Sequence, residues 1–254
     1  MSYLLGLPLF SSMFLFIIFG VVLYALAYVG LLLMARHARK DESSIPIGAF
    51  IGTIATSWAL SLGFVAADIW TLNAQADREV SAERSAIIRL IGNADVDVLN
   101  KPELAQALEV YRDNVIRDEW GKNHNLFPAE SVEETLQDIR IIIMEIARSD
   151  APAVIVSQTV GIFDDLQEAR NTRLAIASTM IDQYKWYMLL TLTVLTAIAI
   201  VAVHADRVRA GMRALALYVL TATVSIWILT IHASPYSGVE QIQPDALQLN
   251  VDRL

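Results

Sequence analysis

The distribution of charge constrains this chain more than any other feature. No charged residue occurs from Met1 to Ala35, and further uncharged runs cover Ser43–Ala67, Trp186–Val203 and Ala214–Thr230. A bilayer-spanning helix needs about 20 predominantly apolar residues, so the four runs predict four spans. The first is long enough for one tilted helix with an interfacial lead-in. It lacks the basic segment of a signal peptide and reads as an uncleaved anchor stopped by Arg36, His37, Arg39 and Lys40. At 55% hydrophobic and 18% charged, the 254 residues are too apolar for an ordinary soluble domain.

The charge that is present concentrates in the middle. Residues 74–185 hold 20 acidic and 12 basic residues, which accounts for the whole net charge of -8. This section predicts a water-facing helical domain. Leu104, Leu108, Tyr111 and Val115 keep the spacing of one helix face, as do Val132, Leu136, Ile139, Ile143 and Ile146. Pro102 marks one helix start and Ser131 with Glu134 predicts a capping box for the next, with turn chemistry from Gly121 to Pro128 between them. The resulting organisation is an all-α integral membrane protein. Residues 1–73 hold the first two transmembrane helices, 74–185 the acidic helical domain, 186–233 the last two transmembrane helices and 234–254 a tail. The domain is built on extensions of helices two and three.

Those extensions follow from missing helix breakers. Between Pro46 and Gly92 there is no proline or strong turn signal, so the second span continues as one helix of about 45 residues, roughly 70 Å long at 1.5 Å per residue. From Pro152 to about His204 only Gly161 interrupts, which predicts a comparable returning helix. Glu83 falls within the apolar stripe Ile69, Leu72, Ala76, Val80, Ile87 and Ile91, and Arg170 within Val156, Val160, Phe163, Leu174, Ala177 and Ile181. Glu83 lies 15 residues beyond Asp68 and Arg170 lies 16 before Trp186. Antiparallel helices would bring the two to the same height, which predicts a structural ion pair acting either as a register clamp or as a switch between two packings.

The second span also carries a polar row. Thr53, Ser57, Ser61 and Asp68 fall within about 80° of one another on an ideal helix and are candidate pore-lining residues. Gly48, Gly52 and Gly63 occupy another face, where small residues permit close helix packing. The hydroxyls admit two readings, as the wall of a water path or as intramembrane glue to backbone carbonyls.

Several functions drop out. With no cysteine there are no disulfides and no thiolate metal sites, and the four histidines share no helix turn, so no metal site is expected. No basic stripe supports nucleic-acid binding. Nucleophile elbows, phosphate loops and cofactor motifs are missing, so neither enzyme activity nor a cofactor is expected. The adjacent acids Asp118-Glu119, Glu133-Glu134 and Asp164-Asp165 diverge on a helix surface and read as a solvated face.

Beyond these residue-level readings, a set of ordered anchor points resembles a known family. The segment GTIATSWALSLGFVAADIW at 52–70, then Val80, Glu83 and Arg84, Tyr111, Glu119-Trp120, Arg170, Arg173-Leu174, and Pro235-Tyr236-Ser237-Gly238 before Ile242 and Pro244 is similar to the bestrophin-like bacterial membrane family. That family usually carries Pro-Phe-Ser-Gly in the tail, where this chain has Tyr236. The resemblance implies four spans with a helical domain between the second and third, in the bacterial inner membrane. It also implies a homo-oligomeric ion pore in the lipid bilayer, with span two lining the pathway of an inorganic ion. The alternative is a non-conducting envelope sensor or scaffold whose helical domain binds a partner.

Orientation is predicted from the loop charges. Arg36, Arg39 and Lys40 in loop 36–45 and Arg207, Arg209 and Arg213 in loop 204–213 mark the cytoplasmic side, leaving the acidic domain outside. Likeness to bestrophins implies the reverse, but the loop charges act in this chain directly. Single cysteines introduced at Ser44 and Ser131 give the test. A membrane-impermeant thiol reagent applied to intact cells is expected to label Ser131→Cys and spare Ser44→Cys; the opposite pattern reverses the topology.

Overall fold

The computed structural model describes residues 9–38, 47–179, 183–237 and 240–248. Helix α1 covers Leu9–Ala38, α2 Ile47–Ala94 and α3 Pro102–Asn114, which runs into a π-helical turn at Val115–Lys122. Then come α4 (Glu130–Arg148), α5 (Ala153–Ser178), α6 (Gln183–Val203), α7 (Val208–Ile231) and a short 3-10 turn at Pro244–Leu247. No strand occurs among the described residues. Four helical stretches are long and apolar enough to cross a membrane, one each in α1, α2, the stretch ending in α6, and α7. The chain is an all-α integral membrane protein.

Contacts divide the chain into two compact units, one holding α1, the start of α2 through Thr71, α6 and α7, the other running from Leu72 through α5 with Ser234–Ser237 and the tail from Gln241 onward. The tail therefore belongs with the helical domain. In the membrane unit, α1, α6 and α7 pack on one another. Glycine makes this possible at two points. A Cβ on Gly20 would lie 2.7 Å from Thr223 Oγ1, and one on Gly211 would lie 2.7 Å from His204 Cβ and 3.1 Å from Leu31 Cδ2. Helix α2 joins through one edge, where Val65 and Ile69 pack with Trp186, Leu189 and Ile226. Trp58 extends that edge: its Nε1 donates to Thr193 Oγ1 at 2.9 Å and its ring meets Tyr218 at 5.6 Å.

In the helical domain, Ala76, Val80, Ile87 and Leu90 of α2 pack with Leu104, Leu108 and Tyr111 of α3, Val132, Ile139 and Ile143 of α4, and Ile162, Phe163 and Leu166 of α5. Pro102 occupies the first turn of α3 as expected, where its missing N–H costs no hydrogen bond. The capping box does not form. Ala129 is the N-cap of α4, and Ser131 Oγ instead donates to Asp118 Oδ2 at 2.6 Å.

Two expectations about long helices part company. Helix α2 is continuous over 48 residues. The returning helix is not: α5 ends at Ser178, and Thr179 is extended. Ser178 Oγ and Thr179 Oγ1 both donate to the carbonyl of Ala175, at 2.9 and 2.7 Å, satisfying helix-end acceptance locally. The buried stripe of α5 is also broader than the expected one and shifted to one side of it. Thr159, Ile162, Phe163, Leu166, Ala169, Arg170, Arg173 and Ile176 are inside, so Phe163 and Arg170 keep their expected burial at one margin of the stripe, while Val160 is 38% exposed.

Gly211→Val is expected to lower stability by about 1–3 kcal/mol through overpacking, whereas Gly161→Ala, with open space around the missing Cβ, should raise it by about 0.5–1 kcal/mol. Thermal unfolding in detergent checks both. Equal effects would contradict the packing described for α1, α6 and α7.

Candidate functional site

The outer face of α2 is the first region of interest. Thr53 and Ser57 are exposed, and Ser57 Oγ donates back to the Thr53 carbonyl at 2.9 Å. Leu60 and Phe64, 56% and 61% exposed, share this face. The expected polar row divides here. Ser61 is buried, with no partner for its Oγ, because its position turns toward the edge that meets the other helices. Asp68 is half-buried and accepts a hydrogen bond from Lys185 Nζ, so its charge is matched. The glycine face differs from expectation too. A Cβ on Gly52 or Gly63 would meet nothing within 4 Å, so neither packs against this chain, since α2 turns its opposite edge inward. Gly48 lies in α2, and its surroundings fall outside the described residues.

The second region is a set of buried charges in the helical domain. Glu83 is fully buried, as its place in the stripe requires, but its partner is Arg173 and not Arg170. Arg173 Nε donates to Glu83 Oε2 at 2.7 Å and Nη2 to Oε1 at 3.2 Å. The shift of the α5 stripe explains the exchange, since it points Arg173 at α2 and leaves Arg170 at the margin that meets Glu119. Tyr111 Oη also donates to Glu83 Oε1, at 2.7 Å.

Arg173 continues the network through Glu119. Its Nη2 donates to Glu119 Oε2 at 2.7 Å, its Nη1 to Asn125 Oδ1, and its guanidinium lies 5.2 Å from the Trp120 ring centroid. Arg170 completes the chain of charges, with Nε 3.0 Å from Glu119 Oε1, Nη2 on the same oxygen, and Nη1 2.8 Å from Glu133 Oε1. Glu83, Glu119, Arg170 and Arg173 are at most 2% exposed. Burial opposes the charge on Arg173, yet Glu83 and then Glu119 outweigh it and raise its pKa above the ordinary arginine value. Burial also opposes the charge on Arg170, and Glu119 outweighs it there. The Tyr111 hydroxyl is pushed well above the usual phenol range by burial and then by Glu83. Each acid of the cluster is held by at least one arginine.

Reading Asp118-Glu119 as a solvated face misses this site. The π-helical turn at Val115–Lys122 widens the backbone, and Asp118, Glu119 and Trp120 are all buried. Asp118 is held below the usual carboxylate range by Arg117, Lys122 and Ser131. Asn125, at φ 58°, adopts the left-handed conformation that asparagine tolerates. Its N–H donates to the Glu119 carbonyl at 2.7 Å, which places its side chain against Arg173. The tail folds over the same turn. Tyr236 meets Trp120 edge-on at 5.6 Å and its Oη donates to the Ala76 carbonyl at 3.2 Å, while Trp120 Nε1 donates to the Ile242 carbonyl at 3.3 Å. Among the described residues no three His, Cys, Asp or Glu side chains cluster in a metal-binding arrangement.

The family model of a bestrophin-like domain matches residues 16–247. The chain belongs to the bestrophin-like family. Every residue of the buried charge network lies within the matched region. Solved structures share the bestrophin-like fold: a mutated bacterial bestrophin homologue from Klebsiella pneumoniae is similar with a TM-score of 0.67 and 11% identity, covering 93% of this chain and 96% of that one. Two further structures, both variants of a membrane protein, give TM-scores of 0.68 and 0.65 at 15% and 16% identity, each covering 91% of this chain and 94% of the other. No curated protein matches the chain in sequence.

In this bestrophin-like domain, removing one member of a buried ion pair leaves its partner uncompensated, at a typical cost of about 3–5 kcal/mol. Glu83→Gln and Arg173→Gln are each expected to show a loss of that order, with a coupling of about 0.5–3 kcal/mol in the double mutant. The Glu83–Arg170 cycle should couple less. Unfolding measurements on both cycles check this, and stronger coupling to Arg170 would contradict the geometry.

Proposed function

We propose that the protein is an oligomeric ion channel in which copies of α2 surround the pathway. The observation that carries this reading is the outward face of α2. Only 11% of the apolar stretch of that helix is buried within the chain, against 44% for the stretch ending in α6 and 39% for α7. Helix α1 is similarly open at 17%, but apart from Ser11 and Arg36 near its two ends its exposed surface is built from apolar side chains such as Phe10, Phe14, Ile17, Ile18 and Val21 and is suited to lipid. The α2 face instead combines Thr53 and Ser57 with Leu60 and Phe64, and beside them Gly52 and Gly63 leave room for another helix.

Membership in the bestrophin-like family supports a channel over an enzyme, and the Klebsiella homologue supports the same fold. In the proposed pore, hydroxyls of Thr53 and Ser57 solvate the ion, and Leu60 and Phe64 form an apolar constriction able to gate by dewetting. Ser61 and Asp68 are not part of this wall. With Asp68 matched by Lys185, the lining is neutral and sets no strong preference for the sign of the ion. The basic loops support a reading in which the helical domain lies outside the bacterial inner membrane.

Ion flux through protein reconstituted in liposomes tests the proposal. Flux above empty liposomes is expected, falling by about tenfold or more in Ser57→Leu, which replaces a hydroxyl of the wall by an apolar side chain. No flux in either membrane polarity would overturn the channel in favour of a non-conducting sensor or scaffold.

A further inference from the structure

Between α4 and α5 the helical domain holds a small polar cavity of about 130 Å³, lined by Glu133, Gln137, Arg140, Gln167, Arg170 and Asn171. At about 30 Å³ per water in the liquid, this is room for about four waters or one small anion. Arginines approach it from both helices. Arg140 of α4 donates to Gln137 Oε1 at 3.3 Å and to Gln167 Oε1 at 2.7 Å, and its guanidinium lies 5.9 Å from the Phe163 ring centroid. Among the described residues it has no carboxylate within ion-pair distance, so neutral groups hold its charge in place. Because the two amide oxygens face Arg140, the amide NH2 groups remain as donors.

From α5 comes Arg170, whose side chain is 3% exposed. Its Nη1 bonds Glu133 Oε1, on a side chain that is 57% exposed. A largely solvated carboxylate thus reaches into a polar cavity to bond a buried guanidinium. The main counter-charge of Arg170 is Glu119, behind it, so Glu133 is not needed to neutralise the buried cluster. Its release to water costs little, because it is already more than half in water.

We propose that this cavity binds a small carboxylate anion, which takes Arg170 Nη1 from Glu133 and supplies the counter-charge that Arg140 lacks. Carboxylate chemistry is favoured because a planar pair of oxygens matches the guanidinium fork, and because the chain's own carboxylate already makes this contact. The NH2 groups of Gln137, Gln167 and Asn171 supply donors for the remaining lone pairs. Glu133 acts as an internal competitor.

Acetate is the probe, titrated against the full-length protein in detergent at constant ionic strength, with thermal unfolding as the readout and chloride and sulfate as comparison anions. Saturable stabilisation by acetate is expected. The half-saturating concentration should fall by about tenfold in Glu133→Gln, which keeps an acceptor for Arg170 but removes the competing charge, and rise by about tenfold in Arg140→Gln. Unfolding without acetate shows that both surface variants fold. The proposal is overturned if acetate gives no saturable shift, if both variants respond as the unmodified chain does, or if chloride or sulfate acts as strongly as acetate.

Discussion

Glu83, Glu119, Arg170 and Arg173 are shut away from water in the helical domain, and the rest of that domain is arranged so that none of them stands alone. A charge removed from water without a partner costs several kcal/mol. Each carboxylate here meets an arginine, and Arg173 joins both. Satisfying it requires α2, α5, the π-helical turn and the loop bearing Asn125 to arrive in one register. Replacing a buried ion network by apolar side chains of similar volume is often neutral or stabilising, so the burial of these charges is not by itself a source of stability.

The tail depends on the same constraint. Trp120 offers one side of its ring system to Arg173 and contacts Tyr236 and the Ile242 carbonyl. Trp120 and Glu119 are buried side by side within the π-helical turn. Among its described residues the membrane unit has no comparable network. Its order comes from close packing at Gly20 and Gly211, from aromatic contacts at Trp58, and from the ion pair that joins Asp68 of α2 to Lys185 of α6. Helix α2 takes part in this packing along a single edge and leaves its opposite face open.

Much of the fold was readable where one physical signal dominated. Uncharged length gave the four spans, and the absence of breakers gave the continuous α2. The stripe from Ala76 to Ile87 placed Glu83 in a core. Elsewhere competing signals misled. On α5, Val156, Val160, Leu174 and Ala177 define an apolar face beside the buried one, which centres the expected stripe on Arg170 and leaves Arg173 at its edge. Glu119 continues the spacing of Leu104, Leu108, Tyr111 and Val115, yet its charge beside Asp118 reads as a solvated face, and nothing local announces the arginines that make its burial possible. Ser131 was claimed by Asp118, a tertiary contact that outcompeted the cap. The end of α5 at Ser178 rests on two hydroxyls whose local bonding is compatible with either continuation or termination.

The claim that the open face of α2 meets water and not lipid is tested most directly by one accessibility measurement. Single cysteines at Ser57 and at Leu217, a 68% exposed position on α7, can be treated with a water-soluble thiol reagent in reconstituted bilayers. Modification of Ser57→Cys with protection of Leu217→Cys is expected. Protection of both would place the α2 face in lipid and contradict a pathway lined by that helix.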